Sequence, residues 1–386
     1  MPVNDSPRPR ILCISFSDIR ADARVLRQLD VLARHGEVTT LSYGERPDAA
    51  HDHLQIDSAL PSLPQTIPGV LKLGLRRYRS VALDAPAVRA GRALLAGREF
   101  DIVVANEARA LPLASVVAGA PRIWCDLHEW APAERSHVLS WRLLVAPFMD
   151  WVCRTYLPRI DASTTVNQSI ATMYEERFGV RMDIVRNAIA YRPDLSPSPL
   201  AADRIRLVHS GGAVPGRNIE AIIDAVDLLG DAYSLDLFLI PSRQGDKYWQ
   251  RLVDRIQASP RTTLHPPVAP DDLPDALNAY DLGVFILPPH TPNHRLMLPN
   301  KFFDFVQARL GIVFGPSVET DRLIRRHDLG AITADYSAAD LARTLRGLSP
   351  DDVRRFKQNA NGVAELLSSE ADVAVQEGIL TRLASA

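Results

Sequence analysis

The chain has 386 residues, 46% hydrophobic and 23% charged, which suits two or three globular domains and supplies apolar residues for more than one core. A formal net charge of −2 argues against a general nucleic-acid binder, which would usually be basic. Three scattered cysteines (Cys13, Cys125 and Cys153) with no C-x-x-C pair argue against a disulfide framework or a cysteine zinc site, and they fit a reducing cytosol.

The polar start MPVNDSPRPR lacks a signal-peptide pattern, so a cytoplasmic protein is expected. RILCISF (Arg10 to Phe16) then reads as a buried strand. The loop FSDIRADAR (Phe16 to Arg24) has no glycine, which argues against a nicotinamide site of the G-x-G-x-x-G type. Asp22 and Arg24 stand at the next helix start, where they either line a cleft or cap the helix. Val25, Leu29, Leu32 and Ala33 recur at helical spacing, Gly36 ends the run, and EVTTLSY (Glu37 to Tyr43) is the second strand of a βαβ unit.

Further along, GVLKLGLRRYRS (Gly69 to Ser80) mixes apolar residues with four cations. Such a segment can rest on an anionic lipid surface, form an ordinary surface helix or bind a charged soluble acceptor. In RIWCDLHEWAP (Arg122 to Pro132) a short strand delivers Asp126, His128 and Glu129, and a histidine between carboxylates after a strand suits a catalytic or ligand-orienting role. No window holds about 18 uninterrupted apolar residues, because Leu139 to Pro158 is broken by Arg142, Asp150 and Arg154.

YRPDLSPSPLAADR (Tyr191 to Arg204) reads as a linker. A second βαβ unit follows: strand Ile205 to Ser210, a glycine-rich loop Gly211 to Arg217, a helix with Ile219, Ile222, Ile223, Val226 and Leu229 on one stripe, and strand Leu235 to Ile240. Gly211 and Gly212 allow a close backbone approach, the helix start favours an anion, and Arg217 adds a permanent charge suited to a diphosphate. After the strand Asp281 to Leu287, the run Leu298 to Val313 opens a helix with Asn300 as the expected N-cap. At about 100° per residue Phe302, Phe305 and Val306 face the core, while Asn300, Lys301 and Asp304 share the opposite arc. Lys301 is one of only four lysines among 44 basic residues. His51 and His53 in a polar loop, and His290 and His294 around Pro292, do not make a metal motif, and no metal site is expected. From Asp351 the chain reads as helical and polar.

The fold class read from this alternation is α/β, with two Rossmann-like domains and parallel sheets. Taken in order, ADARVLRQLDVLARHGEVTTL, WCDLHEW, DASTTVNQSIATMYEERFGVRMDIVRNAI, LVHSGGAVPGRNIEAI and DLPDALNAYDLGVFILP with PNKFFDFVQARLGIVFGP resemble the retaining GT-B glycosyltransferases of the family-4 type over most of the chain. The resemblance implies two facing domains with an interdomain cleft: an acceptor-binding domain over 1–192, a donor domain over 193–365, and a helical tail over 366–386 that packs back on the first domain. It implies a nucleotide-sugar donor (UDP- or GDP-sugar first, dTDP-sugar also compatible), a glycan, lipid-linked or natural-product acceptor, retention of anomeric configuration, and no obligatory metal. Arg217 and Lys301 would hold the diphosphate, Asp304 the ribose hydroxyls, and His128 the transferred sugar. Gly211, Gly212 and Asn300 join the donor side; Asp22, Arg24, Asp126 and Glu129 join the acceptor side or cleft. Where the family's E-x7-E motif has its first acid stands Leu296, which keeps a catalytically silent nucleotide-sugar binder as the alternative, beside a nucleotide-sugar epimerase. Peripheral contact through 69–80 would place the protein on the inner face of the membrane.

Overall fold

The computed structural model describes residues 8–241 and 247–385. The polar stretch 1–7, on which the reading of the N-terminus rests, lies outside the described residues. The chain divides into two compact units.

The first unit comprises the chain up to Arg186, together with Thr291–Asn293 and the residues from Asp372 onward. Its sheet contains β1 (Arg10–Asp18), β2 (Glu37–Tyr43), β3 (Asp52–Gln55), β4 (Ile102–Asn106), β5 (Arg122–Leu127), β6 (Ala162–Thr165) and β7 (Asp183–Ile184) in the order 3-2-1-4-5-6-7. Every pairing is parallel. Parallel strands need crossover connections that cover both faces, so the central strands are apolar throughout. Ile11, Leu12, Cys13 and Ile14 are wholly buried, as are Val103, Val104 and Ala105. The helix Ala23–His35 lays Val25, Leu29 and Leu32 on this sheet. On the same cluster sit Ile379, Leu380 and Leu383 of the last helix, Ser369–Ser385. His53, expected in a loop, lies within β3, where its ring bonds Thr40 Oγ1 (2.8 Å) and Gly44 O (3.1 Å).

The second unit runs from Asn187 to His290 and from His294 to Ala371. Its strands β8 (Ile205–Ala213), β9 (Tyr233–Pro241), β10 (Thr262–His265), β11 (Leu282–Phe285), β12 (Gly311–Phe314) and β13 (Gly330–Ile332) are all parallel, in the order 10-9-8-11-12-13. β8 is three residues longer than expected. Gly211, Gly212 and Ala213 pair with Leu239, Ile240 and Pro241, so the glycines form the strand end rather than a loop. The helix Asn300–Gln307 packs Phe302, Phe305 and Val306 against the sheet. It comes so close that a Cβ on Gly283 of β11 would lie 2.3 Å from the Phe305 ring.

In both sheets the strand order reverses beside the first strand, between β1 and β4 and between β8 and β11. At such switch points the loops diverge and leave a crevice beyond the strand C-termini. Among the described residues no helix is long and apolar enough to cross a membrane.

Gly283→Ala should destabilise the second unit by about 1–3 kcal/mol through overpacking against Phe305. Chemical denaturation of the variant against the parent checks this, and an unchanged midpoint would contradict the packing described.

Candidate functional site

In the second unit the residues converge on the ends of β8 and β11. Gly211 has φ +120°, a conformation side chains rarely adopt, and a Cβ there would lie 2.4 Å from Lys301 Nζ. Glycine therefore opens the space that the ammonium occupies. Lys301 is 8% exposed, with Nζ 5.2 Å from the centre of the Phe285 ring. It forms no salt bridge among the described residues. Burial lowers its pKa to about 8, Arg217 adds to the shift, and Asp304 opposes it. The arc drawn from helical spacing needs correction here, because Asn300 is exposed and Asp304 half-buried while Lys301 is enclosed by residues from β8 and β11. Asn300 is also the first helical residue and not the cap. Pro299 holds the cap position, and Asn300 Oδ1 accepts a 2.7 Å hydrogen bond from Asn187 Nδ2.

Two neighbours escaped the sequence reading. His209 on β8 is buried, donates from Nδ1 to Val284 O (2.8 Å) and stacks on Phe285. A carbonyl can only accept, so Nδ1 carries the proton and Nε2 keeps a lone pair with no partner among the described residues. Burial, then Lys301 and Arg217, push its pKa down to about 3, so the ring is neutral. Asn218 is the helix-start residue after Arg217, at φ 62°, and its side chain bonds Ile286 O (3.0 Å) and Tyr336 O (2.7 Å). This ties the loop after β8 to the end of β11. The result is an electropositive cluster of Lys301 and Arg217 beside the backbone at Gly211–Gly212.

In the first unit the residues gather at the ends of β4 and β5. Arg24 and Asp126 are both buried and form a two-point ion pair, Nε to Oδ2 at 2.9 Å and Nη2 to Oδ1 at 2.7 Å. Arg24 Nη1 also donates to Val185 O (2.9 Å), and Thr164 Oγ1 donates to Asp126 Oδ1 (2.7 Å). Of the two roles left open for Asp22 and Arg24, Asp22 caps its helix by accepting from Val25 N (3.2 Å), and Arg24 bonds inward. Burial alone would raise the Asp126 pKa, but Arg24 and His128 together outweigh it and hold the carboxyl well below the usual range.

His128 stands between two acids, with Nδ1 3.2 Å from Glu107 Oε1 and Nε2 3.4 Å from Asp126 Oδ2, the latter too poorly aligned for a hydrogen bond. Burial works to lower its pKa, yet Glu107 and Asp126 together leave it raised. Glu107 was not singled out in the sequence. It follows β4 at φ 71°, a conformation uncommon outside glycine, and an acid at a strand's C-terminal end was the only signal. Glu129 accepts from Asn293 Nδ2 (2.6 Å), and Asn293 Oδ1 accepts from Trp130 N (3.0 Å). Burial, then Glu107 and Glu134, push the Glu129 pKa up to about 8. Environment thus separates neighbouring carboxyls: Asp126 is held ionised and Glu129 protonated near neutrality, the pattern that equips a site for acid–base work.

Among the described residues no group of three or more His, Cys, Asp or Glu is arranged to hold a metal ion. His290 precedes the short helix Pro292–Leu296, so it does not share a helical face with His294.

No protein-family model matches the chain, and no curated protein matches it. Solved structures do. HepE of Anabaena, solved with UDP and glucose, is 14% identical with a TM-score of 0.66, over 98% of this chain and 100% of that one. Sucrose-phosphate synthase of Thermosynechococcus elongatus is 15% identical with a TM-score of 0.69, over 98% and 100%. WaaG, a glycosyltransferase involved in lipopolysaccharide biosynthesis, is 13% identical with a TM-score of 0.62, over 96% and 99%. The chain therefore has the GT-B fold.

Arg24→Ala leaves the Asp126 carboxylate buried and unpaired, which should cost about 3–5 kcal/mol in urea denaturation at pH 7. The folded pKa of Asp126 lies below its unfolded value, so the pair's contribution is present above about pH 4 and is lost as the pH falls further. The gap between parent and variant should accordingly narrow in acid. Glu129 has the opposite sign. Its raised pKa favours folding below about pH 4.5 and is lost as the pH rises through about 8. Glu129→Gln should therefore gain stability over the parent between pH 5 and pH 9, on the order of 1–3 kcal/mol, and a pH-independent difference would refute the assignment.

Proposed function

We propose that this protein is a glycosyltransferase that moves a sugar from a nucleotide-sugar donor to an acceptor hydroxyl. The observation that carries the reading is the cationic cluster in the second unit: a buried lysine with no salt-bridge partner among the described residues, an arginine and half-buried glycine backbone at the switch point of a parallel sheet. A diphosphate supplies the missing counter-charge. UDP and UDP-glucose occupy the crystals of HepE, which shares this fold, and a uridine nucleotide is the first donor to test.

In this reading Arg217 and Lys301 stabilise the charge that develops on the leaving diphosphate, a task that fixed cations perform without a metal. Asp304 receives ribose hydroxyls, and Asn300 lines the same helix start. His128 contacts the transferred sugar from the first unit, which binds the acceptor. Asp126 and Glu107 set the orientation and charge of His128, and Glu129 offers a proton near neutral pH. Attack on the leaving-group face retains the anomeric configuration. The three free, buried thiols suit a reducing cytoplasm.

Leu296 supports a second reading. An apolar side chain stands where the resemblance calls for an acid, and a protein that binds the donor without transferring it would tolerate that change.

Thermal shift against UDP, GDP, ADP, dTDP and their sugars identifies the base, since a ligand at 100 times its Kd stabilises by about 2.7 kcal/mol. An anion beside Lys301 raises its pKa from about 8, so nucleotide affinity should fall as the pH rises through that value, with proton uptake visible by calorimetry in two buffers. Lys301→Met should abolish both effects, and Arg217→Ala should lower turnover on the order of a hundredfold. Binding of no nucleotide by well-folded protein would overturn the donor site, whereas binding without transfer or hydrolysis would favour the silent reading.

A further inference from the structure

A second recess in the first unit has no part in the chemistry above. It is a cavity of about 670 Å³, within the range of small-molecule sites, and Arg76, Tyr78, Trp130, Arg142, Asp150 and Trp151 contribute to its walls. Tyr78 and Phe148 pack around Trp151, with ring centres 5.8 Å and 6.2 Å from it. The acid on this wall, Asp150, is already engaged by Arg154 (3.3 Å) and Arg177 (2.6 Å). Arg76 and Arg142 form no salt bridge among the described residues, so the cavity offers two uncompensated guanidinium groups beside an aromatic floor.

Arg76 is also the wrong residue for its backbone. The helix Ile67–Gly74 closes with Arg76 N bonded to Leu73 O and Arg77 N to Lys72 O, both at 2.9 Å. In this C-terminal closure the residue at Arg76 adopts the left-handed conformation, here φ 53°, and glycine is the residue it favours. The fold would be served better by glycine, and among the described residues no acid pairs with the charge that arginine brings.

Exposed leucines neighbour both arginines along the chain: Leu71 (63% exposed) and Leu75 (68%) precede Arg76, while Leu139 (59%) and Leu143 (65%) flank Arg142. The helix bearing the first pair packs against the turn Trp141–Val145. Lys72, the other cation of this helix, is neutralised by Asp84 at 2.6 Å.

We propose that this cavity binds an anionic amphiphile: a phosphate-type head group held by Arg76 and Arg142 over Trp151, with its hydrocarbon chain lying along Leu71, Leu75, Leu139 and Leu143. Guanidinium groups suit phosphate oxygens, aromatic rings give an apolar contact next to them, and exposed leucines lower the cost of hydrating a chain. Naming this ligand as the acceptor rests on the transferase reading, but the binding site itself does not.

The test is a tryptophan-fluorescence titration without nucleotide, using geranyl phosphate, glucose 1-phosphate and inorganic phosphate as probes. Geranyl phosphate should bind saturably and at least tenfold more tightly than the other two. Arg76→Gly should weaken it tenfold or more while melting at the same temperature as the parent or higher, because glycine relieves the backbone. Arg142→Ala should weaken it comparably. No saturable binding of geranyl phosphate, or binding unchanged in both variants, would overturn the site. Glucose 1-phosphate binding as tightly as geranyl phosphate would overturn the amphiphile assignment. Since nucleotides are absent, failure here leaves the donor recess untouched, and failure of nucleotides to bind leaves this cavity standing.

Discussion

Parallel strand pairing is the constraint on which the rest of this protein depends. Strands that run the same way cannot be joined by tight turns, so each must be followed by a segment that returns across a sheet face. Both faces are thereby covered, the central strands become apolar throughout, and polar residues are pushed to the strand ends. Several of the residues singled out for chemistry obey this. Glu107, Asp126 and His128 lie at the ends of β4 and β5, and Gly211, Arg217 and Phe285 at the ends of β8 and β11.

Each cluster solves the problem of burying charge differently. In the first unit, Asp126 is compensated inside the fold by Arg24 with good two-point geometry, and Thr164 satisfies a further lone-pair direction. That pair is structural, and it also fixes one of the carboxylates between which His128 stands. In the second unit, Lys301 is nearly as buried but has no such partner among the described residues, and its neighbour His209 is neutral. An uncompensated buried cation weakens a fold, and its retention makes physical sense when a ligand supplies the counter-charge. This asymmetry is what supports the proposal of a diphosphate site in the second unit and of a proton-handling site in the first.

Much of the architecture was legible in the residues. Uninterrupted apolar runs such as Ile11–Ile14 mark strands buried on both faces, and the stripes through Val25, Leu29 and Leu32, or through Ile219, Ile222 and Val226, mark the helices between them. The segments carrying Asp126, His128, Arg217, Lys301 and Asp304 were found because polar residues directly after an apolar strand stand out. The errors were local. Gly211 and Gly212 look like a turn, yet pairing with β9 draws them into the strand, and Asn300 looks like a cap, yet Pro299 takes that place.

The sequence alone determined the α/β class, the two parallel sheets and the strand ends where chemistry would gather, because periodicity is a property of neighbours along the chain. Only the tertiary structure decided what each polar group meets. Lys301 becomes buried because Gly211, 90 positions earlier, leaves room for its ammonium. Glu107 comes to face His128, and Asn293 to hold Glu129, through contacts between distant segments. Burial and charge pairing depend on such contacts, and they set which carboxyl is ionised, which is protonated and which cation lacks a counter-charge among the described residues.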